Sequence, residues 1–213
     1  MRLEKYLSDC GLGTRKEIKQ FIKSGRAVLQ GDTVLFDGVP LAYNKFRYFA
    51  MNKPAGYVCA NEDGKSETVF SLLETKYSHL NLFTVGRLDK DTTGLLLLTN
   101  DGDFAHKVIS PKSRINKIYY ARINGDVSKD DILKFSVGFN GFLPSKLERI
   151  GSGECLVTVQ EGKYHQVKRM LDSIGKPVIR LKRLKIGGYS LPEYLNEGCI
   201  VELLQKDLDS ILL

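Results

Sequence analysis

The stretch that decides the reading is Gly86-Arg87-Leu88-Asp89-Lys90-Asp91-Thr92-Thr93-Gly94-Leu95-Leu96-Leu97-Leu98-Thr99-Asn100-Asp101-Gly102. Two acids, two threonines and a glycine crowd a loop that feeds straight into an apolar run of strand length. Such a loop is held at a sheet edge, where reactive side chains can face a cleft. A calcium loop would need acids at alternate positions and a Glu at the twelfth. Counting from Asp89, the twelfth residue is Asn100. A Walker-type phosphate loop fails as well: Lys65-Ser66 follows Gly64, but Cys59 stands where the earlier glycine is required. A glycosidase pair of Asp89 and Asp91 is disfavoured, because acids two apart on one loop rarely oppose each other across the ~5–9 Å that chemistry needs. From these residues alone two readings stay open: a reactive carboxylate loop, or a turn rich in capping residues ahead of a core strand.

On either side of this stretch, short apolar runs recur at short intervals. Candidate strands are 46–51, 83–86, 95–99, 117–124, 155–160, 178–186 and 198–204; candidate helices are 67–75, 102–110 and 164–174. Many strands and few helices read as an α+β fold with a mixed, mostly antiparallel sheet. The first forty residues differ. Leu3, Tyr6, Leu7 and Cys10 form one helical face, closed by Gly11 and Gly13. Thr14 and Glu17 form a capping box for a second helix with Ile18, Phe21 and Ile22 inside. Turn signals at Gly31-Asp32 and Asp37-Gly38 then frame a small hairpin. Residues 1–43 are expected to form a small basic domain and 44–213 the main one, joined near 41–45.

Charge points to a polyanion. Among 213 residues, 32 Lys+Arg against 25 Asp+Glu give a net charge of +7. The excess is clustered: residues 1–50 carry nine basic and five acidic side chains, and residues 161–186 carry eight and two. Lys5, Arg15, Lys16, Lys19, Lys23 and Arg26 lie off the apolar stripes of the first unit and can share one cationic face. The four cysteines and three histidines have no metal-ligand spacing, so no metal is expected. No apolar run approaches the ~18 residues of a membrane span. The chain opens Met-Arg-Leu-Glu-Lys with no apolar leader, and a cytoplasmic monomer without membrane contact is expected.

The motifs also carry a resemblance. Gly86-Arg87-Leu88-Asp89-x-Asp91-Thr92-x-Gly94-Leu95-Leu96, preceded by Asn52-Lys53-Pro54-x-Gly56 and followed by Lys117-Ile118-Tyr119, Glu161-Gly162-Lys163-Tyr164-His165-Gln166-Val167-Lys168-Arg169-Met170 and Leu181-x-Arg183-x-x-Ile186-Gly187, resembles the bacterial RsuA family of rRNA pseudouridine synthases. Residues 1–43 resemble a small S4-like αL RNA-binding domain through Arg2-Leu3-x-Lys5-Tyr6-Leu7, Gly13-Thr14-Arg15-Lys16 and Lys23-x-Gly25-Arg26, shortened by about a dozen positions after Ala27.

The resemblance implies a pseudouridine synthase fold and a cofactor-free isomerisation. The N1–C1′ bond of uridine breaks, the uracil turns, and C5 joins C1′. Asp89 takes the place of the catalytic aspartate, acting by covalent addition or by assisting glycal formation; both routes stay open. Lys168 falls where the family pairs a basic residue with it, which keeps a desolvated carboxylate ionised. Tyr119 is assigned to stacking on the uracil, and Arg87 to base flipping or the phosphate path. Lys53, His165, Gln166, Arg169 and Arg183 complete the substrate-contacting candidates, with a bulge near Lys182-Arg183 expected to turn charge outward. Read without the resemblance, Tyr119 is as well a core residue and Lys168 a solvated one. The Tyr-His-Gln-Val-Lys-Arg-Met string favours the small-subunit branch, hence 16S rRNA in an assembling subunit as partner. The alternatives are action on 23S rRNA, or a noncatalytic RNA-binding assembly protein.

Overall fold

The computed structural model describes residues 2–43 and 45–213, and the backbone but not the side chain of Lys76. Asn44, inside the expected linker, and Met1 lie outside the described residues. The first unit is α1 (Leu3–Asp9), α2 (Arg15–Lys23), β1 (Ala27–Gln30), β2 (Thr33–Phe36) and β3 (Val39–Pro40). The capping box forms: Glu17 N–H donates to the Thr14 hydroxyl, and Thr14 N–H donates to the Glu17 carboxylate at 2.7 Å. The three strands make their own antiparallel sheet. Leu7, Ile18, Ala27 and Val34 fill the small core. Arg26, expected on the RNA face, donates twice to Asp37 at 2.7 and 2.6 Å and lies over the Phe21 and Phe36 rings.

The second unit follows as β4 (Tyr48–Lys53), β5 (Phe83–Val85), β6 (Thr93–Thr99), α3 (Gly102–Ile109), β7 (Lys117–Ile123), α4 (Lys129–Val137), β8 (Lys146–Gly151), β9 (Glu154–Val159), α5 (Gln166–Asp172), β10 (Val178–Ile186), β11 (Tyr189–Ser190), β12 (Ile200–Glu202) and α6 (Gln205–Ile211). The sheet runs β12-β4-β6-β10-β7-β9-β8, with β5 on β6 and β11 on β10. Among the named strands of the described residues, only β6 and β10 pair in parallel; the other pairings are antiparallel. All seven residues of β6 are buried. Leu95 and Leu97 face one core and Leu96 and Leu98 another, which is why the run is continuous rather than alternating.

The sheet forks at β6. Along one edge β6 pairs with β4 from Gly94 to Thr99. Along the other, β5 takes Leu97 to Thr99 and β10 takes only Thr93 and Gly94. The loop at residues 86–92 comes off β5 and returns as β6, so it emerges at this divergence. Gly94 is required there: its φ is +99°, and a Cβ would sit 2.3 Å from the Arg183 carbonyl oxygen.

The segment expected as a helix at 67–75 is instead two 3-10 turns, Val69–Leu72 and Thr75–Leu80. The Thr68 hydroxyl accepts from Phe70 N–H and Ser71 Oγ donates back to the Thr68 carbonyl, local bonds that compete with an α-helix. Helices α4 and α6 and strand β8 were not expected from the apolar pattern. On α4, Ile132, Leu133 and Val137 are exposed while Phe135 and Asp131 are buried, so no clean apolar face is written in the sequence.

Candidate active site

The loop carrying Asp89 is held from beneath by Lys53. This lysine was expected to touch substrate, but it is fully buried. Its ammonium lies within hydrogen-bond distance of the carbonyls of Thr92 at 2.9 Å, Pro54 at 3.0 Å, Asp89 at 3.1 Å and Lys90 at 3.3 Å. An ammonium has three protons, so two of these carbonyls share one. Burial pulls the Lys53 pKa below the ordinary lysine value. Three inward-turned loop carbonyls, of Asp89, Lys90 and Thr92, are thereby tied to Lys53, and Thr92 N–H closes a turn onto the Asp89 carbonyl at 3.1 Å. Lys53 is therefore a positioning strut rather than a substrate contact.

The Asp89 carboxylate is 27% exposed. Helix α5 supplies its partners. Val167, Met170 and Leu171 bury one face of α5, which leaves Lys168 on the flank toward the loop. Lys168 Nζ lies 2.9 Å from Asp89 Oδ2 and 2.6 Å from Asp91 Oδ1. Burial works against the lysine's charge, but the hydrogen bonds and charges of Asp91 and Asp89 outweigh it and hold its pKa above the ordinary value. For Asp91, burial works to raise the pKa, but the bond and charge from Lys168 hold it below the usual carboxylate range. The two carboxylates thus converge on one shared cation, which is not the arrangement of a glycosidase pair opposed across a substrate. Asp91 was not singled out as a site residue; its place two positions from Asp89 was the available signal.

His165 Nε2 lies 3.4 Å from Asp89 Oδ1, a contact that becomes an ion pair when the imidazole is protonated. Gln166, also expected at the substrate, is buried instead. Its amide donates to Glu161 Oε1 at 2.9 Å and its oxygen accepts from Lys163 N–H at 3.0 Å, which braces the turn that presents His165. Arg87 is exposed on the loop, and Arg169 is exposed over the Phe142 ring.

Tyr119 and Arg183 form a second group. Tyr119 is partly buried between two cores, whereas its neighbour Tyr120 turns away and donates to Glu154. A register shift does fall between Arg183 and Lys185, yet Arg183 points inward and is 4% exposed. Its Nε donates to the Leu95 carbonyl at 2.7 Å, and Nη1 to the Tyr119 hydroxyl at 3.3 Å. The physical reason is the fork: past Gly94, β10 no longer pairs with β6, and the Leu95 carbonyl needs another donor. Lys117, also on β7, is buried and donates to the Val108 carbonyl; burial, aided by the Arg183 charge, pushes its pKa down to about 8.

An α+β fold with a forked mixed sheet, and a lysine-paired aspartate on the loop entering its central strand, define the class. Residues 47–173 match the RNA pseudouridylate synthase family, and the chain belongs to it. It is a pseudouridine synthase. It is 39% identical to an uncharacterized RNA pseudouridine synthase, YtzG, of Bacillus subtilis, over 98% of this chain and 97% of that one. It is 38% identical to the ribosomal small subunit pseudouridine synthase A of Vibrio parahaemolyticus, over 99% of each. A crystal structure of a pseudouridylate synthase superposes with a TM-score of 0.74 at 31% identity, covering 99% of each chain. The alignment to the Bacillus protein runs over 231 positions, more than this chain's 213 residues, so that relative carries residues this chain lacks.

Proposed function

We propose that this enzyme converts one uridine of 16S rRNA to pseudouridine in the cytoplasm, with Asp89 as the carboxylate that acts at C1′. The observation that carries the reading is the Lys168–Asp89 ion pair at 2.9 Å on a loop braced by Lys53. A carboxylate entering a closed pocket with RNA would otherwise take up a proton, because desolvation raises its pKa. Lys168 opposes that and keeps the reacting oxygen anionic. The reaction is an isomerisation: C1′ leaves N1 and joins C5, C5 loses a proton and N1 gains one. Nothing enters or leaves overall, so no cofactor is required. Both covalent addition of Asp89 to C1′ and assistance to glycal formation fit a carboxylate held this way.

Tyr119 is the proposed stacking partner of the uracil, with Arg183 behind its hydroxyl. Arg87 and Arg169 are proposed phosphate contacts, and His165 a contact beside the reacting sugar. Extracting a base from folded RNA costs a few kcal/mol, which phosphate contacts offset. Residues 1–43 are proposed as an S4-like RNA-binding unit with Arg15, Lys16, Lys19 and Lys23 on its exposed face. The 16S assignment is supported by the small-subunit synthase relative and by the Tyr164-His165-Gln166 string.

The test uses purified protein with unmodified 16S and 23S rRNA transcripts, followed by pseudouridine mapping. One new pseudouridine in 16S and none with Asp89→Asn is the expected result. A site in 23S alone would refute the 16S assignment. Turnover by Asp89→Asn would refute the role of Asp89.

A further inference from the structure

We propose that the exposed ring of Tyr164 is a stacking platform for the RNA base next to the reacting uridine. The proposal rests on the reading of Asp89 as the reacting carboxylate. A lone exposed tyrosine would signify nothing, since apolar surface is common on soluble proteins. Tyr164 differs in how it is held. It is 75% exposed, yet its ring stacks on His165 with centroids 3.8 Å apart and planes 17° from parallel.

His165 has φ +49° and ψ +33°, a left-handed conformation that costs energy for any residue but glycine. Its carbonyl accepts the first hydrogen bond of α5 from Arg169 N–H at 2.9 Å, but its side chain does not cap the helix and is left free to face elsewhere. What it achieves is to set the imidazole between Tyr164 and the Asp89 carboxylate. One face of the Tyr164 ring is taken by His165 and the ring remains largely open to solvent. The open surface lies one stacked ring beyond the group that meets the sugar.

A cation stands beside it. Arg169 Nη1 donates to the Tyr164 carbonyl at 3.4 Å, and the guanidinium lies 5.2 Å above the buried Phe142 ring. Arg169 makes no ion pair among the described residues, so its charge is available to a phosphate. An exposed aromatic ring with a cation on the neighbouring turn of chain is what single-stranded RNA recognises: base on ring, backbone on charge. The occupant is therefore a nucleobase flanking the target, bound by its face and not by its hydrogen-bonding edge.

The chain has no tryptophan, so Tyr164→Trp places its single indole at the platform. Fluorescein-labelled decauridylate is titrated while label anisotropy and indole emission are followed. Quenching of the indole with the same midpoint as the anisotropy is expected. Binding that leaves the emission unchanged would overturn the proposal. In a second arm, single-turnover rate is measured against concentration of the rRNA transcript that the wild type modifies. Tyr164→Ala should raise the half-saturating concentration about tenfold and leave the saturating rate within about twofold, while Tyr164→Phe matches wild type. An unchanged half-saturation in Tyr164→Ala, or an equal loss in Tyr164→Phe, overturns it. The indole readout needs no turnover, so failure of the Asp89 reading would show separately, as product formed by Asp89→Asn.

Discussion

An ammonium shared by two carboxylates, as Lys168 is by Asp89 and Asp91, stabilises both anions over a wide range of pH. The signs follow from the shifts. The raised Lys168 pKa gives stability that is present below the unfolded lysine value and is lost as pH rises through the folded one. The lowered Asp91 pKa gives stability that is present above the unfolded carboxylate value and is lost as pH falls through the folded one. Lys168 and Asp91 are therefore both ionised throughout the neutral range. Lys168→Met should lower the single-turnover rate by about a hundredfold or more. Loss of the cation disfavours an anion in a desolvated site, so the activity lost in Lys168→Met should recover in part at higher pH. A profile of unchanged shape would rule out this role. Lys168→Arg should be milder, because charge is kept while geometry changes. At this scale the sequence pointed to Asp89 and Lys168, which the structure brings within 2.9 Å of each other, but not to the burial of Lys53, Gln166 and Arg183. A polar side chain in a motif is compatible with touching substrate or with bracing the loop that does, and only burial distinguishes the two.

At the level of elements, the site depends on the divergence of β5 and β10 along one edge of β6. Gly94 permits the close approach of β6 and β10, and Arg183 satisfies the Leu95 carbonyl beyond it. Gly94→Ala should therefore destabilise the protein by about 3 kcal/mol or more, through a Cβ clash with the Arg183 backbone and a left-handed φ. Urea unfolding would measure this, with Gly64→Ala as control: nothing lies within 4 Å of a Cβ there, and a change within about 0.5 kcal/mol is expected. Equal midpoints for Gly94→Ala and wild type would show that the strands separate without cost. The strands of this region were legible because their apolar runs are short and bounded. Helix α4 was not, because its exposed face carries Leu133 and Val137 and its capping carboxylate, Asp131, is buried.

Across the whole molecule, Arg47 ties the two units together. It pairs with Glu202 of the second unit at 2.6 Å and donates to the Cys10 carbonyl of the first at 3.0 Å. Beside this junction lies a cavity of about 490 Å³, lined by Lys5, Arg15 and Lys19 from α1 and α2 and by His79 and Asn81 from the body. Lys5 is paired with Asp9, whereas Arg15 and Lys19 make no ion pair among the described residues. Reversing both, Arg15→Glu with Lys19→Glu, should weaken RNA binding and lower the slope of log affinity against log salt by about two. The saturating rate should stay within a few-fold, since Asp89, Lys168 and Tyr119 all lie in the other unit. Affinity and salt slope equal to wild type would show that the first unit plays no part in RNA binding.

The sequence by itself determined the capped helix α2, the mixed-sheet fold with its buried central strand, the loop that carries Asp89, and the flank of α5 that carries Lys168. These follow from local rules: a capping box at Thr14 and Glu17, a doubly buried leucine run after Gly94, and helical spacing of Val167, Met170 and Leu171. Only the tertiary structure decided which polar residues face the cleft. Lys53 turned inward because three carbonyls of the Asp89 loop needed a donor, and Arg183 did so because a forked sheet left the Leu95 carbonyl unpaired. Such demands are created when distant strands meet, and a buried polar group must be satisfied wherever the chain brings its partner.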